Sequence, residues 1–426
     1  MKMLIKNGHV VDPVAKKDGL FDLLIEDGKI KKWEKRLRVD TVDTIIDAKG
    51  LVVTPGLIDL HTHLREPGYE YKETIKTGSM AAAAGGFTTI VCMANTNPVN
   101  DNAVITEFIT KRAQEEAIVN VLPIGAISKN LEGKAMADIG QMAEAGIVGI
   151  SDDGRCVMDT ALMRKSMQYA RGFGLMVVSH AEDECLSGHG SMNEGPVATE
   201  LGLSGSPNAA EELIVARDIA LAELTKAKLH IAHMSSRGSL ELVKAAKKRG
   251  VSVTCEVTPH HLFLTDEAVR GYNTNASVRP PLRSREDALA LRRGIEDGFV
   301  DTIATDHAPH ASFEKEVEFA QAAHGMVGLE TSLALCLKLV QDRSIKLSQL
   351  IKLMSANPAH ILGLKSKGTL KPGADADIAI FDPNEKWNVD PTKFYSKSRN
   401  TPFGGWSLKG KIKYTVVNGK IVYENI

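Results

Sequence analysis

The run Leu57-Ile58-Asp59-Leu60-His61-Thr62-His63-Leu64-Arg65 decides the fold. It is an apolar stretch, short enough for one buried strand, that ends on two histidines one residue apart. On a strand, residues i and i+2 point to the same side, so His61 and His63 can grip one metal ion together. Arg65 continues that parity and can hold an anion beside the metal. Seven runs of similar kind follow: Thr88 to Asn95, Asn120 to Ile127, Ile147 to Asp153, Leu175 to Glu182, Lys228 to Ser235, Val251 to Thr258 and Thr302 to Pro309. Strands alternating with helical segments argue for parallel βα units. Eight in a row predict an α/β fold, a (β/α)8 barrel.

The segments between them read as helices. Val104, Ile105, Phe108, Ile109 and Ala113 are expected to form one packing face, and Leu213, Ile214, Ala220, Leu221 and Leu224 another. Ser284-Arg285-Glu286-Asp287 opens a third helix like a capping box, with Asp287 at the reciprocal position. The poorly periodic segments after Ser151, around Gly188 to Asn208 and after His310 are expected as loops on the catalytic face.

The chain ends carry a different pattern. Short β stretches occur at Met3 to Ile5, Asp22 to Ile25 and Thr44 to Ile46, broken at Asn7-Gly8 and Asp27-Gly28, which are hairpin dipeptides. The last sixty or so residues resemble them: Ile378 to Phe381, Ile412 to Val417, Asn418-Gly419 and Lys420 to Tyr423. Neither end alone can bury a sheet core, so the two are expected to combine into a small β-sandwich. The expected division is 1–54 with 366–426 as that composite β domain and 55–365 as the barrel.

Composition excludes several classes. Of 426 residues, 52 are Lys or Arg and 53 Asp or Glu, with no strong charge block, which argues against a nucleic-acid or anionic-membrane surface. The N-terminus turns polar at Lys6-Asn7 before a signal-peptide core forms, and no stretch is long enough to span a bilayer. A cytoplasmic location is expected. Cys92, Cys156, Cys185, Cys255 and Cys336 are an odd number, widely scattered and without a Cys-x-x-Cys pair, and read as free thiols of a reducing compartment.

In a barrel the active site lies where strands end. Strand one supplies His61 and His63, strand four Asp152-Asp153, strand five His180, strand six His230 and His233, and strand eight Asp306-His307. His230 and His233 face opposite ways on a regular strand, and His233, nearer the end, is the better ligand. Asp152 against Asp153, and Asp306 against His307, stay open on this ground. Imidazole and carboxylate without thiolate suit zinc and admit manganese, cobalt or iron. Four ligands suffice for one ion; six, with one shared carboxylate, hold two ions about 3.5 to 4 Å apart. Such a site brings the pKa of bound water toward about 7, which makes metal-assisted hydrolysis by hydroxide the implied reaction class. Asp306 can take the proton from that water and pass it to a leaving nitrogen.

Two stretches, His61-Thr62-His63-Leu64-Arg65-Glu66-Pro67-Gly68 and Ala304-Thr305-Asp306-His307-Ala308-Pro309-His310, resemble signatures of the amidohydrolase superfamily and, within it, the class I dihydroorotases. The resemblance extends from Asn7-Gly8 through Val53-Thr54-Pro55-Gly56 to Lys397-Ser398-Arg399-Asn400-Thr401-Pro402-Phe403. It implies His61, His63, Asp153, His180, His233 and Asp306 as metal positions, Asp153 as the bridging ligand and Asp306 as the acid/base. It also implies that His63, Arg65, Asn95 and His310 meet substrate. The implied reaction is the reversible cyclisation of N-carbamoyl-L-aspartate to (S)-dihydroorotate in pyrimidine synthesis. Partners implied are a small-molecule substrate and, as in some of these enzymes, further copies of the chain or aspartate transcarbamoylase.

The chain departs from the family pattern in places. Arg279 stands before Pro280-Pro281-Leu282-Arg283 where asparagine is usual, Ala94 replaces a proline before Asn95-Thr96, and His324-Gly325 replaces an aromatic or proline before glycine. Arg279, His324 and Gly325 are carried as substrate-binding positions, Arg279 facing either a substrate carboxylate or solvent. The rival readings are another cyclic amidohydrolase (hydantoinase, dihydropyrimidinase or allantoinase) and a catalytically silent homologue that partners aspartate transcarbamoylase. The former relatives bridge their metals with a carboxylated lysine at the end of strand four, where this chain has Asp152-Asp153. Silent copies commonly lose ligands, and all six are present here. His230 is expected as a satisfied histidine outside the site, and His260 and His261 in a role behind the ligands or in packing.

Overall fold

The computed structural model describes residues 1–425. Five strands come first: β1 (Lys2–Asp12), β2 (Lys17–Glu26), β3 (Lys29–Glu34), β4 (Thr44–Asp47) and β5 (Val52–Pro55). The barrel strands follow as β6 (Leu57–Thr62), β7 (Phe87–Cys92), β8 (Asn120–Pro123), β9 (Gly149–Ile150) and β10 (Met176–Ser179). After a short parallel pair, β11 (Met192–Asn193) and β12 (Gly205–Ser206), come β13 (Lys228–Ile231), β14 (Val253–Val257) and β15 (Thr302–Ile303). The chain ends with β16 (Ile378–Asn388), β17 (Ser407–Val417) and β18 (Lys420–Glu424).

All eight expected barrel strands form, shorter than their apolar runs, and every neighbouring pair is parallel. Two isolated bridges, Gly125 with Ile150 and Thr62 with His307, join the remaining gaps and close the ring. The His63 N–H donates to the His307 carbonyl at 2.9 Å, and the Ser151 N–H to the Gly125 carbonyl at 2.9 Å. Leu60, Val91, Met93, Ile124, Met176, Val178 and Ala232 fill the interior beneath the strand ends, as a barrel of this size requires.

Strands from both chain ends build one sheet, ordered β18-β17-β16-β5-β1-β2-β3 with β4 also on β1. The hairpin tips at opposite ends of this path touch. Asp27-Gly28 and Asn418-Gly419 both have positive φ at both central residues, the type I′ turn that matches strand twist. A Cβ at Gly28 would lie 3.0 Å from the Asn418 carbonyl oxygen. The sandwich is therefore one sheet folded over its own core of Ile5, Leu23, Ile25, Val53, Ile378 and Val416.

Four expectations need correction. Asn7-Gly8 is not a turn but a bulge inside β1: Asn7 has φ 61°, its N–H leaves the ladder for Asp22 Oδ1 (2.8 Å), and the register with β2 shifts between Ile5 and Gly8. In the helix Ala103–Glu116 only Thr106 and Ile109 are fully buried, while Val104 is 72% and Phe108 45% exposed, because that pair lies on the opposite flank. Leu213, Ala220 and Leu224 likewise face outward on the helix Asn208–Thr225, whose buried stripe runs through Ile214, Asp218, Leu221 and Thr225. The Ser284 capping box is half made: Ser284 Oγ accepts the Asp287 N–H, but Asp287 Oδ1 turns to Asn208 Nδ2 (3.0 Å) and the Arg237 N–H (2.9 Å).

Candidate active site

A bulge aims the first histidine. Between the pairings Asp59–Ile90 and Thr62–Cys92, β6 spends one residue more than β7. Leu60 consequently joins the interior cluster while His61, its neighbour, also turns to the barrel axis. The Asp59 carboxylate holds this distortion by accepting the N–H groups of His61 and Thr305, both at 3.1 Å, and the Thr305 hydroxyl.

The two aspartates left open after strand four separate cleanly. Asp152 Oδ1 accepts the N–H groups of Ile127 (2.8 Å) and Ser128 (2.9 Å), and its other oxygen the Ser128 hydroxyl. Asp153 is left for the site. Its Oδ1 lies 3.3 Å from His61 Nε2, 3.4 Å from His180 Nδ1 and 3.3 Å from His233 Nε2, and its Oδ2 lies 3.4 Å from His63 Nε2. On strand eight, His307 is consumed by Glu73 (3.2 Å) and the Gly328 N–H (3.2 Å). Asp306 Oδ1 reaches His63 Nε2 at 3.1 Å and His61 Nε2 at 3.5 Å. His230 faces the barrel interior but is spoken for by Thr254 and Glu256.

Three of these strand ends need left-handed backbone: Arg65 (φ 63°), His233 (φ 31°) and Asp306 (φ 47°). Non-glycine residues adopt such angles at a cost, and their clustering at one barrel face marks a site held in shape by its surroundings.

The side chains fit a metal. His61, Asp153 and His233, and again His61, His63 and Asp306, each bring ligand atoms within 4.8 Å of one another, all buried. His61 Nδ1 sits 2.7 Å from Glu256 Oε1, an oxygen that only accepts, so Nδ1 carries the proton. The lone pair of Nε2 is then buried without a hydrogen-bond partner among carboxylate oxygens. A Lewis acid is the group that satisfies it. In the metal-free chain burial opposes a charge on His61, yet Asp153, Glu256 and Asp306 together hold its pKa well above the usual range, so that a proton occupies Nε2 where a Lewis acid would otherwise bind. Burial likewise favours neutral Asp306, but His61 and His63 hold its carboxyl below the ordinary value.

Residues 50–239 match the Dihydro-orotase-like family and residues 285–423 the Amidohydrolase family. The chain is 55% identical to a dihydroorotase of Syntrophus aciditrophicus over 425 residues, covering 100% of both. It is 52% identical to one of Acetivibrio thermocellus, covering 99% of this chain and 98% of the relative. The chain belongs to the dihydroorotase family. Among solved structures, an L-hydantoinase from Arthrobacter aurescens superposes with a TM-score of 0.90 at 27% identity, covering 99% of this chain and 96% of its own. A dihydropyrimidinase from Brevibacillus agri gives 0.87 at 25%, covering 100% and 95%. This member of the dihydroorotase family is thus a metal-dependent hydrolase acting on a small molecule. No helix among the described residues is long and apolar enough to cross a membrane.

The remaining candidates of this dihydroorotase-family site form its rim. Arg65 is buried; its Nε–H donates to the Pro309 carbonyl (3.2 Å), and Nη2 lies 3.4 Å from His310 Nε2. His310 Nε2 donates to the His324 carbonyl (2.9 Å), which leaves Nδ1 as a buried acceptor without a partner. Asn95 Oδ1 accepts from His63 Nδ1 at 2.8 Å, a brace that spacing alone does not reveal. Arg279 is half-buried and does not stand free: its Nε is 2.9 Å from Glu182 Oε2, which in turn lies 3.6 Å from His180 Nε2. Despite burial, His180 and Arg279 hold the Glu182 carboxyl down at about 2.

The His324 ring bonds Ser277 Oγ (2.9 Å), and burial, reinforced by Arg279, pushes its pKa down to about 4. Gly325 has φ 143° and no room for a side chain, since a Cβ would meet the Ala308 Cβ at 2.7 Å. His261 is satisfied by Thr258 Oγ1 (2.8 Å) and the Pro280 carbonyl (3.0 Å). A cavity of about 470 Å³, lined by Tyr71, Lys315, Lys397 and Arg399, adjoins the site and shares His310 with it.

Sequence reasoning passed over Glu256 and Glu182 altogether. For Glu256 a signal was available: an acidic residue inside the apolar run Val253-Thr254-Cys255-Glu256-Val257 must be paired when buried.

Proposed function

We propose that this chain catalyses the reversible cyclisation of N-carbamoyl-L-aspartate to (S)-dihydroorotate, with His61, His63, Asp153, His180, His233 and Asp306 holding one or two zinc ions. Zinc fits a set of imidazoles and carboxylates without thiolate, although manganese, cobalt and iron share that preference. A divalent ion in that cluster supplies Lewis acidity, polarising a carbonyl and acidifying water. Asp153, touched by four imidazoles, is suited to bridge two ions.

The chain's own residues do the rest. In closure the ureido nitrogen attacks the side-chain carboxylate carbon, a C–N bond forms, a C–O bond breaks, and the oxygen leaves as hydroxide that a solvent proton converts to water. Asp306, 3.1 Å from His63, takes the proton from that nitrogen and gives it to the departing oxygen; in ring opening it returns it to the ring nitrogen. Arg65, with the Asn95 amide, holds the ring carboxylate by charge-assisted hydrogen bonds, and His310, whose free Nδ1 is an acceptor, takes a hydrogen bond from a substrate N–H. Arg279, tied to Glu182, borders the mouth together with His324 and Gly325.

The reading rests on Arg65, a buried guanidinium beside the metal cluster, which gives an anionic ring a reason to bind where a neutral hydantoin has none. Assembly with further copies of the chain belongs to the same proposal and is supported by the outward apolar stripe Leu213, Ala220 and Leu224. So do association with aspartate transcarbamoylase and a cytoplasmic location, the latter consistent with five free cysteines. The test is hydrolysis of dihydroorotate followed by ultraviolet absorbance on metal-analysed protein, beside dihydrouracil, hydantoin and allantoin. Turnover of a neutral ring with none of dihydroorotate would overturn the substrate.

A further inference from the structure

A chain of buried polar groups runs from the metal cluster toward the opposite end of the barrel. Glu256, on β14, is fully buried, and each of its carboxylate oxygens is occupied. Oε1 accepts from His61 Nδ1 at 2.7 Å and from the backbone N–H of His233 at 3.1 Å. Oε2 accepts from His230 Nε2 at 3.1 Å. With Nε2 protonated, His230 Nδ1 is an acceptor, and the Thr254 hydroxyl fills it at 2.7 Å. Thr254 lines a cavity of about 330 Å³ with Lys228, Ser252 and His360 at the far mouth. Every donor in the chain has an acceptor, and donation converges on Glu256 from both sides, from His61 and His233 at the cluster and from Thr254 through His230 at the far end.

We infer that Glu256 is the positioning residue of the metal centre, fixing the His61 tautomer and the backbone of His233 together, with His230 and Thr254 as its support. The inference rests on the proposed metal set. A single carboxylate oxygen serves two of the six candidate ligands, one through its ring and one through its main chain. His233 is the residue whose φ of 31° costs energy, so a hydrogen bond to its N–H is where a clamp is needed. A carboxylate behind a ligating imidazole also raises the basicity of the ligating nitrogen. An amide in its place keeps the geometry and loses that effect.

Glu256→Gln is a mild substitution for this reason. Its amide oxygen still accepts from His61 and His233, and its amide nitrogen is accommodated when His230 switches tautomer and the Thr254 hydroxyl turns to the Leu229 carbonyl, 3.4 Å away. Metal affinity is measured by competition with a chelator on wild type, Glu256→Gln, Thr254→Val and His233→Ala, alongside thermal melts of each metal-free protein. The expected result is about 10- to 100-fold weaker zinc binding in Glu256→Gln with a metal-free melting temperature close to wild type. Thr254→Val, at the cavity end of the chain, is expected to weaken zinc about threefold and serves alone if Glu256→Gln cannot be purified. A merely structural Glu256 would lower metal-free and zinc-loaded stability equally and leave affinity unmoved; that outcome, or unchanged affinity in the purified variants, overturns the inference. Unimpaired zinc binding in His233→Ala would instead overturn the metal set itself.

Discussion

Asp152 and Asp153 are adjacent in the chain, yet their carboxylates serve opposite purposes. Asp152 bonds two backbone N–H groups and a hydroxyl of the neighbouring loop, whereas Asp153 meets four imidazoles. The turn that follows β9 sends the two side chains apart, and the two residues therefore fail differently. Asp153→Ala is expected to lose bound metal and turnover while the metal-free fold persists. Asp152→Ala is expected to keep its metal stoichiometry and lose about 3 kcal/mol of stability. Elemental analysis and thermal melts of both variants decide it; equal metal content in the two would refute the assignment.

Asp306 is the proposed proton carrier, and Asp306→Asn keeps a similar shape while removing the basic oxygen. Turnover is expected to fall by about 10²- to 10⁴-fold with an unchanged circular-dichroism spectrum. Full activity in that variant would remove Asp306 from the mechanism.

These residues differ in how far the sequence announces them. The eight barrel strands are legible because each is an apolar run ended by turn or polar residues, and ligand types recur at their ends. Alternation does not separate His230 from His233: β13 ends at Ile231 and His233 adopts φ 31°, so both rings face the barrel interior and only their partners tell them apart. It also fails at β6, where a bulge turns both Leu60 and His61 to the axis, because an extra residue in one strand leaves no compositional mark. It is silent at Asn7-Gly8 for the same reason: a positive-φ asparagine serves a bulge as well as a turn. The exposed Val104 and Phe108 mislead because apolar residues at i and i+4 look identical whether they face a core or water. The apolar run around Glu256 marks it as buried and paired, but its partners, like the Arg279–Glu182 pair, depend on contacts between distant strands and loops, which no local pattern records.

Arg65 and Arg279 are expected to behave differently although both are arginines at the mouth. Arg65 is buried with its Nε spent on a carbonyl, so Arg65→Met removes a desolvated charge from the proposed carboxylate subsite. Orotate binding is expected to weaken by about 100-fold while uracil binding stays near its own value. Arg279 is paired with Glu182, and Arg279→Asn is expected to change KM for dihydroorotate by less than about threefold, the scale of one modest polar contact. A large KM increase in Arg279→Asn with none in Arg65→Met would exchange their roles.

His324 carries a pH dependence whose sign can be worked out. Burial, then the Arg279 charge, depresses its folded pKa to about 4, while in the unfolded chain it stays near its ordinary value of about 6.5. Between those values the unfolded chain binds the extra proton, so stability rises with pH across that window. The contribution is fully present above about 6.5 and is lost as pH falls toward about 4. The ring's bond to Ser277 ties this loss to the loop whose carbonyl holds His310, so acid should loosen the rim before it reaches the barrel core. His324→Gln, which has no titrating ring, is expected to flatten the limb of the urea midpoint between pH 6.5 and 4. Parallel midpoint curves for the two proteins across that window would show that His324 does not carry the effect.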